Sequence, residues 1–232
     1  MEAVVRHFRT RTSPEYLFVA DQMKQLQDEH LIEEAEAVMR HEIYGHSFEG
    51  EIDWFFNPTA DTSRDNEWSW SLFRTIYWQP LARAYAKTGD ERYTKEFLDQ
   101  MKSFSVNWPV KPFMEDDTFE TKFKFPGHAW RTIEAAMRVY TSWLPCMEAF
   151  RSSQGWGMEG WVLFLTQICD HGDFLMDHYS NHNRSSNWLT MESSALLQCG
   201  IMFPEIQSDW LITGYQRVMH ELKYSFDNDG IH

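Results

Sequence analysis

Two asparagines each precede an aromatic ring in HYSNHNRSSNWLTMESS, residues 178–194: Asn181-His182 and Asn187-Trp188. A side-chain amide is neutral, so it donates a hydrogen bond to an anion without holding it as a permanent cation does. At a helix start the free backbone amides and the positive end of the macrodipole add to this, which suits an amide that stabilises charge developing during a reaction. The same residue at the same place is also an ordinary N-cap. The carboxylates Asp53, Glu67, Glu134 and Glu192 offer a second chemistry, because glycoside hydrolysis needs two carboxyl groups flanking the scissile bond. His178 and His182 have i, i+4 spacing but lie among turn formers, so no metal site is expected. The chain carries no glycine-rich phosphate loop, CxxC, HExxH or GxSxG, and no cofactor is expected.

The elements that must position these groups are helical. Apolar residues recur at helical spacing in most segments and strand-like alternation is nearly absent, so the class is all-α. Tyr93, Phe97, Met101 and Phe104 fall on one stripe, and the preceding Gly89 and Asp90 read as a helix stop and the next N-cap: a tight helix hairpin. Helices headed by Trp68, Trp130 and Trp188 start 62 and 58 residues apart, each followed by a second helix, at 91–106, 157–176 and 205–224. A repeated helix pair is the signature of a stacked α/α array, open or curved into a toroid. Residues 107–127 contain three prolines and no helical period and are expected to form a long loop. Residues 51–66 read as turns around an aromatic run. No domain boundary is evident, so residues 1–232 are expected to form one domain.

A content of 16% aromatic residues, with 11 Trp and 17 Phe, exceeds what packing requires and fits a protein that also presents rings to a sugar. The formal charge of -14 argues against nucleic-acid or anionic-membrane partners, and the basic residues are too scattered to form a patch by sequence. Cys146, Cys169 and Cys199 cannot all pair within the chain and are expected as buried thiols. No stretch approaches the roughly 18 apolar residues of a membrane span, and the N-terminus has no signal-peptide pattern.

Five pieces taken in order, IDWFFNP, EWSWSLFRTIYWQPLARAYAKTGDERY, WRTIEAAMRVYTSW, SNWLTMESSALLQCGIMFPE and FDNDG, resemble the N-terminal helical domain of heparinase II/III-type polysaccharide lyases, over roughly residues 30–232. The resemblance implies an incomplete (α/α) toroid of helix hairpins and β-elimination in a uronic-acid polysaccharide such as heparan sulfate, another glycosaminoglycan or alginate. It implies that an amide offsets the uronate carboxylate while a Tyr or His moves the C5 proton. The family's spacing back from Phe203-Pro204-Glu205 lands on Asn187 as the catalytic amide. His182, Glu192 and Trp188 would lie beside it. His128, Trp130 and Arg131 open the preceding helix unit at the equivalent place, which suggests substrate subsites, with Arg131 gripping a carboxylate or sulfate. Trp54, Trp68 and Trp70 are candidates for stacking on sugar faces.

The family pattern continues beyond DNDGIH to a tyrosine proposed as base and acid, and then to a β-sandwich domain that supplies a histidine. Neither lies within residues 1–232, so the chain is expected to be truncated and nearly inactive alone. The resemblance suggests a periplasmic or secreted protein, although no signal peptide is present. Arg131 and Arg184 would have to overcome the global negative field for a polyanionic substrate to bind. Two other readings stay open: a glycoside hydrolase on the same scaffold, and a non-catalytic helical repeat that binds glycans or proteins through aromatic rings.

Overall fold

The computed structural model describes residues 2–11, 29–63, 65–115, 128–180 and 187–225. The described chain is helical apart from a two-residue-per-strand hairpin, β1 (Glu42–Ile43) and β2 (His46–Ser47). The helices are α1 (Glu2–Thr10), α2 (Leu31–Met39), α3 (Glu67–Arg74), α4 (Gln79–Thr88), α5 (Glu91–Asn107) and α6 (Lys111–Glu115). They continue with α7 (Thr132–Met137), α8 (Leu144–Phe150), α9 (Gly157–Asp177), α10 (Asn187–Met202) and α11 (Ser208–Ser225). None of them is long and apolar enough to cross a membrane. Two compact units form, one from residues 1–109 and 141–166, the other from 110–140 and 167–232.

In the first unit the α4–α5 hairpin follows from its turn chemistry. Gly89 sits at φ 71, the left-handed C-cap position, and its N–H closes on Tyr85 O. Asp90 then accepts from the Arg92 N–H as N-cap of α5. Tyr93, Phe97, Met101 and Phe104 are all buried, as their spacing requires. Around them packs an aromatic core: Trp78 stacks on Trp143 at 6.1 Å, Phe97 on Trp156 at 5.7 Å, and the Trp78 indole N–H donates to Gln100 Oε1 at 2.6 Å. Fully burying a side chain of this size stabilises the fold by roughly 1.5–3 kcal/mol, so these few rings account for much of the unit's cohesion.

The helix expected at Trp68 is broken. Thr75 adopts φ 52 between α3 and a 3-10 turn at Ile76–Trp78. A β-branched residue is unfavourable there, and tertiary hydrogen bonds hold it: Ser142 Oγ donates to Thr75 O at 2.7 Å, and Trp143 Nε1 donates to Thr75 Oγ1 at 3.0 Å. Residues 107–127 also differ from expectation, since α6 occupies part of that span; residues 116–127 lie outside the described residues. The helix headed by Trp130 is interrupted by a π-helical turn at Arg138–Trp143.

In the second unit α10 and α11 cross so closely that a Cβ on Gly200 would overlap the backbone of Leu211. Behind α7, the Arg138 guanidinium is fully buried. Its Nη1 donates to Ala129 O and its Nε to His171 Nε2, both at 2.6 Å, while His171 Nδ1–H donates to Gln167 O at 2.6 Å. A carbonyl only accepts, so the proton sits on Nδ1 and His171 is neutral. Burial first, and the Arg138 charge second, hold the His171 pKa well below the usual histidine value. Burial also lowers Arg138 to about 9, which leaves it cationic at neutral pH, with the buried Glu134 carboxylate offsetting the charge.

Gly200→Ala should destabilise the protein by about 1–3 kcal/mol or more, because backbone rather than a pliable side chain must move; a urea titration followed by circular dichroism checks this. The neutral His171 makes stability depend on pH. The unfolded state takes up a proton below about pH 6.5 that the native state refuses, so stability is full above 6.5 and falls below it by up to ~1.4 kcal/mol per pH unit. His171→Gln keeps an acceptor for Arg138 and a donor for Gln167, and should remove that component of the slope in urea midpoints measured between pH 7 and pH 5.

Candidate functional site

The residues singled out by sequence divide between the two units. Asn187, Trp188, Glu192, His128, Trp130 and Arg131 belong to the second, and Trp54, Trp68 and Trp70 to the first. His182 lies outside the described residues, as do Asn181 and Arg184.

Asn187 is the first residue of α10 and is exposed, and none of the described residues forms a hydrogen bond with its side-chain amide. It stands at the end of a 16-residue helix whose first backbone N–H groups favour an anion. The next residue, Trp188, lies half-buried beneath the Arg131 guanidinium, whose carbon is 4.7 Å from the ring centroid. Arg131 is the extended N-cap residue of α7, and its Nε lies 3.4 Å from Glu134 Oε2. The Arg131 side chain is 20% exposed whereas that of Glu134 is fully buried. One edge of the guanidinium is thus tied to protein, and its plane is set by the indole face, an arrangement that lowers the entropy lost on gripping an anion. The Asn187 amide at a helix N-terminus and a guanidinium oriented on the ring of the next residue have the chemistry to hold a carboxylate.

The neighbouring side chains hold this site in place. Glu192 is fully buried, and both its oxygens are taken by Ser180: the backbone N–H donates to Oε2 at 2.7 Å and the hydroxyl to Oε1 at 2.8 Å. This pins the chain at the end of the segment that leads into α10. Arg217, on α11, donates from both Nη atoms to Leu175 O and Met176 O at 2.7 Å, satisfying the last carbonyls of α9, and stacks 3.8 Å over Tyr179. Trp130 is buried, with Arg138 over its face at 4.8 Å, His171 at 4.5 Å and Phe174 at 5.0 Å. His128 is buried against Phe113. Both are wall rather than open surface. Sequence reasoning passed over Arg138 and Arg217; the Glu134–Arg138 i, i+4 pair was the available signal for the first, and Arg217 left none.

In the first unit Trp54 is buried, donates to Ser103 Oγ at 3.0 Å and meets Phe104 edge-on. Trp68 is half-buried in a cluster with Tyr44, His46, Phe48 and Phe56. Trp70 is half-buried beside it in α3. The carboxylates considered for hydrolysis are engaged as well. Asp53 accepts from the Phe55 N–H, Glu67 pairs with Arg74, and Glu134 and Glu192 are fully buried. His178 is stacked on Phe174 with Nδ1 donating to Phe174 O at 3.2 Å, and among the described residues no group of His, Cys, Asp and Glu is arranged to hold a metal ion. All three thiols are free, with Cys146 and Cys199 buried and pushed up to about 12 by that burial, and Cys169 partly exposed.

Comparison with known proteins places this geometry in context. The heparin-sulfate lyase of Pedobacter heparinus is 29% identical over 82% of the chain, and that of Bacteroides thetaiotaomicron 27% over 79%. The chain spans 27% and 24% of the lengths of those two proteins. Among solved structures, the heparan sulfate lyase HepC from Pedobacter heparinus superposes with a TM-score of 0.77 at 25% identity, over 98% of this chain and 35% of that one. A heparinase III structure gives 0.79 at 23% identity, over 100% and 35%, and shows the shared fold. The sequence profile of the heparinase II/III N-terminus matches residues 1–232, end to end. The chain therefore belongs to the heparinase II/III N-terminus family.

Proposed function

We propose that this chain is the helical part of a polysaccharide lyase that cleaves a heparan-sulfate-like uronate polymer by β-elimination. The observation that carries the reading is the exposed amide of Asn187 at the head of α10, beside an Arg131 guanidinium already oriented on Trp188, in a family whose members include heparin-sulfate lyases.

The chemistry asks for such an amide. The C5 proton of a uronate is weakly acidic because removing it adds negative charge next to a carboxylate. As the proton leaves, charge flows onto the carboxylate oxygens, and a hydrogen bond that strengthens with that charge lowers the barrier. Asn187 Nδ2 supplies that bond. Arg131 holds the carboxylate or a neighbouring sulfate, while Glu134 moderates its charge so that the ground state is not over-bound. Trp188 sets the plane of the guanidinium. Glu192 fixes the chain at Ser180, and the resemblance makes His182 a candidate second contact to the carboxylate.

The family resemblance assigns proton transfer to a tyrosine and to a histidine of a β-sandwich domain. Trp68 and Trp70, half-buried, remain the stacking candidates; Trp54, Trp130 and His128 are buried and support the walls.

In the longer protein, Asn187→Ala should lower kcat by about 10²–10³-fold while leaving KM within a few fold, the pattern for a donor used mainly in the transition state. Arg131→Ala should instead raise KM. Absorbance of the unsaturated uronate reports both. Full activity in Asn187→Ala would remove the assigned role. Retained activity in Asn187→Ala together with loss in Glu134→Gln or Glu192→Gln would favour a hydrolase.

A further inference from the structure

The basic residues look scattered along the sequence, but the first unit gathers several of them at α1. Residues 6–11 carry Arg6, His7, Arg9 and Arg11, and Arg151 reaches them from the turn after α8, its Nη2 donating to Arg9 O at 3.2 Å and also to Arg11 O. Phe8 anchors the helix, buried and stacked on Trp161 at 5.7 Å. Arg11 lies 4.6 Å over that same Phe8 ring, and Arg151 is paired with Glu148 at 3.1 Å.

Arg6 and Arg9 are different. They lie one turn apart on the exposed side of α1 and, with Glu2, Val5 and Met158, line a groove of about 240 Å³. Arg9 Nη2 donates to Ser153 O at 2.7 Å, which fixes the guanidinium by one edge against a neutral carbonyl. Neither arginine pairs with a carboxylate of any described residue, and the Arg6 guanidinium makes no hydrogen bond to them. The chain has 35 acidic residues against 21 basic ones, so two arginines without acidic partners on one helix face mark a local reversal of the field. The one acid of the groove, Glu2, sits at the helix N-terminus, where backbone amides accommodate it.

We propose that this groove is an accessory anion subsite for a sulfated glycan chain, separate in role from the catalytic amide; the class of ligand rests on the lyase reading above. Paired guanidinium groups offer bidentate hydrogen bonds to sulfate, whose charge persists at every physiological pH. Val5 and Met158 provide an apolar floor for the C–H face of a sugar ring. The groove has no aromatic ring in its lining, which disfavours single-stranded nucleic acid, since such binding stacks bases on aromatic side chains. The role is to hold the polymer, with no bond made or broken.

The test is fluorescence anisotropy of the 232-residue chain with a labelled, fully sulfated heparin octasaccharide at physiological ionic strength. Arg6→Gln together with Arg9→Gln should weaken binding about tenfold or more, and Arg6→Gln alone by several fold. The single variant removes no contact within the fold, so its effect is not one of misfolding. Lys95→Gln, a charge removal on α5 of the same unit, should leave binding unchanged. Unaltered binding in the double variant, an equal loss in Lys95→Gln, or equal affinity for single-stranded DNA of the same charge would overturn the proposal. The outcome is separable from the lyase reading. Release of unsaturated uronate by the longer protein with no effect of the arginine changes sinks only the subsite. Loss of binding in those variants with no such release sinks only the lyase.

Discussion

The second unit is organised by one costly placement, the fully buried guanidinium of Arg138. A buried cation is tolerated only where its hydrogen bonds are met and its charge is offset. Ala129 O and His171 Nε2 meet two of the donors, and Glu134 supplies the opposing charge. The consequences spread outward. His171 must stay neutral to accept, and the Trp130 ring packs against the hydrogen-bonded pair of Arg138 and His171. The Glu134 carboxylate that offsets the Arg138 charge also lies within reach of Arg131, which in turn lies on Trp188, the neighbour of Asn187. A charge placed for structural reasons thus ends as the orientation of a guanidinium at the candidate site.

The candidate site separates chemistry from support. The amide proposed to act, Asn187, is exposed and makes no hydrogen bond to the described residues, whereas Glu192, Ser180 and Arg217 spend their hydrogen bonds on holding chain ends: two at Ser180, two on the end of α9. Preorganisation of this kind matters because a donor already in place costs nothing to reorient as charge develops. It also explains why Glu192 makes a poor acid–base group: both its oxygens are taken by Ser180, where a hydrolase needs them facing a bond and a water.

Much of the fold was legible because its signals are local. Gly89, Asp90 and the Tyr93–Phe104 stripe specify a hairpin within twenty-odd residues, and the structure forms it there. What escaped is non-local. Thr75 breaks its helix because Ser142 and Trp143, nearly seventy residues on, hold it in a conformation its own side chain disfavours. The π turn after α7 runs into Pro145 at the start of α8, whose missing N–H marks a disturbed helix there but does not specify a π turn. At the site, the resemblance and its spacing pointed to Asn187, and the equivalent place in the preceding helix unit to Arg131, but sequence could not distinguish Trp54 and Trp130, which are buried, from Trp68 and Trp70, which keep some exposure. The arginine groove was invisible for the same reason: it forms only where Met158 and Ser153, the latter 144 residues from Arg9, meet the exposed side of α1.

The central claim is that a bond in a uronate polymer breaks by elimination with the help of an amide, without entry of water. Digestion of heparan sulfate by the longer protein in heavy-oxygen water, followed by mass spectrometry of the fragments, tests this most directly. Elimination predicts fragments that carry a new double bond and no heavy oxygen. Heavy oxygen at the new reducing ends, with no unsaturated uronate, would contradict the account and assign the reaction to hydrolysis.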